Sequence, residues 1–135
     1  MDPIERLLAE RECERLTVAY AHLSDTGGTV ADLFTEDGVL DLGFRRSEGR
    51  EAIRAAAGPG DRIMHHQCST FGVDFSDDSN GKGVTYLNAY LSPKVERPEV
   101  RDPFMIARYH DQFQKTSEGW RIKERTLEIV FQRPQ

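Results

Sequence analysis

The chain has 135 residues, 38% hydrophobic and 30% charged, with a formal net charge of −5. That length supports one core and a single domain over 1–135, and the composition is that of an ordinary globular chain. Nucleic acid is not expected as a partner, because affinity for a phosphate backbone rests on clustered Lys and Arg.

Met1-Asp2-Pro3-Ile4-Glu5-Arg6 lacks a basic region followed by an apolar stretch, and no run approaches the ~20 apolar residues that span a bilayer. Neither secretion nor membrane association is expected, which leaves a cytoplasmic location. Cys13 and Cys68 form no disulfide framework and no metal-ligand spacing, and read as small buried residues in a reduced compartment.

Ile4 to about Leu23 reads as a helix, with Ala9, Cys13, Leu16, Tyr20 and Leu23 on one apolar stripe at ~100° per residue. Tyr20 therefore faces inward, and His22 falls on nearly the opposite side, at the surface. Asp25-Thr26-Gly27-Gly28 has the composition of a helix stop. In an unbroken helix Tyr20 and Asp25 diverge by ~140°, so a shared site calls for the backbone to leave the helix around Ser24.

A short helix over Val30–Phe34 leads to the turn signal Glu36-Asp37-Gly38 and a brief strand at Val39–Leu42. Gly49 to Ala57 reads as a third helix closed by Gly58-Pro59-Gly60. Four strand-like runs follow near 62–75, 83–94, 104–116 and 120–131, separated by turn-rich segments including Asp77-Asp78-Ser79-Asn80-Gly81 and Thr116-Ser117-Glu118-Gly119. Helices first and a meander afterwards predict an α+β domain, a strongly curved, mainly antiparallel sheet closed over by N-terminal helices into a cone with an interior cavity.

The runs Tyr20-Ala21-His22-Leu23-Ser24-Asp25-Thr26-Gly27, Leu33-Phe34-Thr35-Glu36-Asp37-Gly38-Val39-Leu40-Asp41, Gly49-Arg50-Glu51-Ala52-Ile53-Arg54 and Gly119-Trp120-Arg121-Ile122 stand in this order along nearly the whole chain. Together they resemble the SnoaL-like branch of the nuclear transport factor 2-like superfamily. The resemblance implies a cone-shaped α+β barrel and a homodimer. Its members include scytalone dehydratase, bile-acid dehydratase, steroid isomerase and polyketide cyclases, alongside non-catalytic transport factors and the small subunits of ring-hydroxylating dioxygenases. From the dehydratase members it carries over a catalytic set: Asp25 as the acidic residue after the first helix, Tyr20 five residues before it, and His65 or His66 as the strand histidine.

Strict alternation places His65 with Ile63, Phe71, Val73 and Phe75, and His66 with Met64, Cys68, Thr70 and Gly72. The bulkier apolar set favours His65 as the cavity residue, and a bulge at Gly72 reverses that choice. Where scytalone dehydratase brings a second strand histidine into its cavity, this chain has Asn88, Tyr90 and Ser92. An imidazole supported by a carboxylate, with a neutral phenol beside it, suits proton abstraction next to a carbonyl followed by loss of a leaving group or return of the proton elsewhere.

The expected function is thus a lyase or isomerase acting on a small hydrophobic, carbonyl-bearing cyclic or aromatic molecule with no metal and no organic cofactor. The alternative is a protein of the same fold that binds a small molecule without transforming it. Against a catalytic role, Tyr20 can serve as a core residue and Asp25 as a turn residue. His22 and His110 stand at no ligand spacing from the paired histidines, and His110 opposes the face of Tyr109 and Asp111. Gly81-Lys82-Gly83 lacks the spacing of a phosphate loop, Arg45-Arg46 and Arg97 to Arg101 read as solvated loop charges, and Trp120 reads as packing.

Overall fold

A computed structural model describes residues 1–56 and 58–134, so the expected helix end at Ala57 and domain end at Gln135 lie outside the described residues. Asp2 starts α1 (Pro3–Thr26) with a reciprocal cap: its Oδ1 accepts from the Glu5 amide at 2.8 Å, and Glu5 Oε2 accepts from the Asp2 amide at 3.1 Å. Pro3 occupies the first turn, where a missing N–H costs nothing. Ala9, Cys13, Leu16 and Tyr20 are buried on one stripe, as the periodicity predicts.

The helix does not end at Ser24. It continues through Asp25 to Thr26 and stops at Gly27, whose φ of 78° is left-handed. Thr26 Oγ1 donates to the His22 carbonyl at 2.8 Å, so the polar run extends the helix, and only the glycine breaks it. Tyr20 and Asp25 therefore point in directions ~140° apart.

After α1 come a 3₁₀ turn (Ala31–Leu33), β1 (Phe34–Asp41), β2 (Arg46–Glu48), α2 (Arg50–Ala56), β3 (Arg62–Phe75), β4 (Asn80–Pro93), β5 (Met105–Thr116) and β6 (Gly119–Gln132). The Val30–Phe34 helix shrinks to that single turn. Glu36-Asp37-Gly38 is a bulge inside one continuous β1 rather than a turn before a short strand, and β2 was not anticipated. Arg46, expected as a free loop charge, sits in β2 and pairs with Asp41, Glu48 and Glu124.

The six strands form one sheet in the order β2-β1-β6-β5-β4-β3. Neighbours are antiparallel except β1 and β6, which run parallel. The fold is α+β, with the helices on one face of a mixed sheet that stays open at β2 and β3. Leu40 of β1 and His66 of β3, four positions apart in that order, line the same cavity, which requires strong curvature.

Irregular register sets the curvature and also decides which side chains face in. In β3 the pairing with β4 slips between Ser69 and Gly72, and Thr70 takes a φ of 53°. Before this bulge Met64, His66 and Cys68 face the core, and beyond it Phe71, Val73 and Phe75 do. In β6 the slip skips Lys123, so Trp120 and Ile122 are followed inward by Arg125 instead of Glu124.

The β1 bulge is tight: a Cβ on Gly38 would lie 2.8 Å from Phe34 Cβ and 2.9 Å from the Thr35 carbonyl oxygen. The Gly38 carbonyl in turn accepts from the Gly49 amide at 2.7 Å, leaving the loop little room to move. Gly38→Ala is expected to lower the unfolding free energy by about 2 kcal/mol. The check is the urea midpoint at unchanged slope, and a variant as stable as the parent would contradict this packing.

Candidate active site

The curved sheet and α1 enclose a cavity of about 310 Å³ lined mostly by apolar side chains, among them Leu40, Met64, Leu87 and Leu127. Three elements bring polar groups into it: Tyr20 and Ser24 from α1, His66 from β3 and Tyr109 from β5. The β3 bulge is why the histidine is His66. His65, which the bulkier apolar set favoured, lies on the outer face with its side chain 64% exposed, packed at 6.2 Å against the Tyr90 ring.

Asp25 reaches His66 from the flank of the helix. One carboxylate oxygen accepts from the His66 amide at 2.9 Å and the other lies 2.5 Å from His66 Nδ1. Although the helix continues, both groups still meet the cavity: Tyr20 lines it directly, and Asp25 contacts it through His66. When the ring is neutral, a carboxylate at Nδ1 favours the tautomer with its proton there and leaves the Nε2 lone pair available. His65 Nδ1 stands 4.0 Å from the same carboxylate, too far for a hydrogen bond.

Beneath Tyr20 and Tyr109 lies an ion pair that shows no accessible surface. Arg125 Nε and Nη2 donate to the two oxygens of Asp111, each at 2.8 Å, and Nη2 also donates to Thr17 Oγ1 at 2.9 Å. The guanidinium carbon stands 4.4 Å from the centre of the Tyr20 ring and 4.1 Å from that of Tyr109. Burial works against the Arg125 charge, and Asp111 more than offsets it, so the group stays protonated.

Burial raises the pKa of both phenols, and the Arg125 charge counters this only in part. Tyr20 and Tyr109 are therefore neutral hydrogen-bond donors at neutral pH. Sequence reasoning missed Arg125, Asp111 and Tyr109 as site residues. The alternation of Tyr109 and Asp111 on one face of β5 was a usable signal, whereas the skipped Lys123 conceals Arg125.

The remaining candidates lie outside the cavity. His22 is exposed and His110 pairs with Glu128 at 2.7 Å on the surface. Trp120 packs at 5.1 Å against Phe75, and Gly81-Lys82-Gly83 opens β4. Burial pushes the Cys13 thiol up to about 12. Among the described residues no three of His, Cys, Asp and Glu converge on a point that could hold a metal ion.

The sequence pattern of the SnoaL-like domain matches residues 5–126. The chain belongs to the SnoaL-like family. No curated protein matches its sequence.

Among solved structures this SnoaL-like domain is similar to a candidate scytalone dehydratase from Novosphingobium aromaticivorans, with 23% identity, a TM-score of 0.83 and coverage of 97% of this chain and 90% of the other. A candidate aromatic ring hydroxylase from the same organism shares 25% identity at a TM-score of 0.79, over 97% and 93%. A hexachlorocyclohexane dehydrochlorinase superposes with a TM-score of 0.81 at 12% identity, over 98% and 92%. A further neighbour is described as an NTF2-like protein with a cystatin-like fold, at 23% identity and a TM-score of 0.77 over 93% and 84%.

Removing one member of a buried ion pair strands the other without solvent or partner. Asp111→Ala is accordingly expected to cost about 3–5 kcal/mol of stability, and the double substitution Asp111→Leu with Arg125→Met to cost less than Asp111→Ala alone. Denaturant unfolding of the three proteins tests this ordering. A double variant at least as destabilised as the single one would show that the pair is worth more than its apolar replacement.

Proposed function

We propose that this SnoaL-like domain is a cofactor-independent lyase or isomerase that removes a proton next to the carbonyl of a small hydrophobic cyclic or aromatic molecule. The observation that carries the reading is the Asp25–His66 pair opening onto an apolar cavity beside two neutral phenols. The solved neighbours named as a dehydratase and a dehydrochlorinase support it, since both names denote eliminations. A volume of about 310 Å³ suits a compact ring system.

In the proposed reaction His66 Nε2 takes the proton and Asp25 stabilises the imidazolium that forms. Tyr20 and Tyr109 donate hydrogen bonds to the enolate oxygen as charge develops on it. Collapse of the enolate either expels a leaving group, which takes up the proton held by His66, or returns the proton to a different carbon. The first outcome is dehydration or a related elimination, and the second is isomerisation.

Incubation with a panel of hydroxy-ketones, steroids and phenylpropanoid compounds, read by mass spectrometry for loss of water and by chromatography for a new isomer, identifies the reaction. With a substrate in hand, Asp25→Asn and His66→Ala are each expected to lower kcat ~100-fold or more, while His65→Ala stays near the parent. Tyr20→Phe keeps the ring over Arg125 and tests the phenol by itself. Folded Asp25→Asn and His66→Ala proteins with parental turnover would refute the assignment. A retained small molecule with no turnover would identify a binding protein.

We also propose a homodimer formed through the outer face of the sheet, where Tyr86, Ile106 and Phe131 are exposed. The free Cys13 and Cys68 support a reducing, cytoplasmic setting, and no helix is long and apolar enough to cross a membrane. Light scattering should give a mass near twice 15.4 kDa, and Ile106→Asp should shift it toward one chain. A parental mass equal to one chain would remove the dimer.

A further inference from the structure

The chain is acidic overall, yet the charge balance reverses beside the cavity. A groove of about 830 Å³, formed by the start of β3, the end of β4, the 94–104 loop and the segment after β6, is lined by Arg62, Lys94, Arg101 and Arg133, with Asp61 as its one acid among the described residues. Leu91 and Phe104 line both this groove and the catalytic cavity, so the two spaces share a wall.

None of the four cations has an ion-pair partner among the described residues. Two of them are held in place by main-chain carbonyls: Arg101 Nη1 donates to Leu91 O at 3.2 Å, and Arg133 Nη1 donates to Asp102 O at 3.4 Å. Four cations set against the single carboxylate of Asp61 leave a net positive charge, and a concave setting concentrates its field on whatever enters. Planar guanidiniums match the oxygens of a carboxylate or phosphate, and the lysine adds a point charge.

We propose that the molecule whose apolar body fills the cavity carries an anionic tail, a carboxylate or phosphate, that lies in this groove. The proposal rests on the cavity being the substrate site and adds a second specificity element to it. An uncharged ring compound would occupy the cavity and leave the groove empty, whereas a tailed one engages both and is oriented by the charge.

Two fluorescent dyes separate these cases: anilinonaphthalene sulfonate, which carries an anion on its ring system, and the uncharged N-phenylnaphthylamine. The parent protein should bind the sulfonate about 10-fold more tightly at low salt, and added salt should erode the preference. Among the described residues Arg62 and Lys94 make no side-chain hydrogen bond or ion pair, so Arg62→Gln with Lys94→Gln should remove most of the preference without unfolding the protein or weakening the uncharged dye. Equal affinities in the parent, or an undiminished preference in the double variant, would overturn the proposal. Inorganic phosphate displacing the sulfonate as tightly as the dye itself binds would make the groove a free-anion site and overturn the tail. The readout is binding, so it stands apart from catalysis: Asp25→Asn should keep the dye preference while losing turnover.

Discussion

The buried Arg125–Asp111 pair is the constraint around which the domain is arranged. A guanidinium with no exposed surface persists only where its charge is matched and its donors are used. Asp111 of β5 supplies the charge, Thr17 of α1 accepts one further bond, and the rings of Tyr20 and Tyr109 stack against the cation. Its Nη1 finds no acceptor among the described residues, so much of the stabilisation must come from Asp111 and those two rings. One side chain thereby ties α1, β5 and β6 together and fixes the rotation of the helix about its own axis.

That rotation also places Asp25. With Thr17 held against Arg125, the 100° step of a helix brings Asp25 round by ~80°, toward β3, where His66 waits. Tyr20, three residues after Thr17, remains over the cation and faces the cavity. A single helix thus serves both halves of the site: it supplies the carboxylate that orients the imidazole and one of the two phenols opposite it. Had α1 ended at Ser24, the carboxylate would belong to a loop, without a turn of helix to hold its direction.

How far all this could be read in advance depended on whether local pattern and register agreed. The stripe of Ala9, Cys13, Leu16 and Tyr20 repeats at the helical period with nothing to disturb it, so α1 and its buried face were legible, as were the four long strands and the α+β class. Strand faces were not, because alternation survives only until a bulge. Thr70 is a β-branched residue in a left-handed conformation, an arrangement its sequence context does not announce, and it turns the face of β3 between His66 and Phe71. Lys123 does the same in β6, hiding Arg125 behind an alternation that pointed to Glu124. The helix end was misplaced for a simpler reason: Asp25 and Thr26 favour turns, but only Gly27 can take the left-handed conformation without cost.

On the proposed chemistry, elimination and isomerisation share their first step and part only after the enolate has formed. The Asp25–His66 base serves both, so the choice falls to the groups around the cavity that can receive a leaving group or guide the returning proton. Similar backbones at 12% and 23% identity accompany a dehydrochlorinase and a candidate dehydratase, so the fold alone does not select the reaction. In this chain the lining is apolar apart from His66, Ser24 and the two phenols. The protonated imidazole and a neutral phenol are then the nearest acids to any departing hydroxyl, and the substrate's orientation decides which of them it meets. An anionic tail held outside the cavity would supply that orientation without placing another charge inside it.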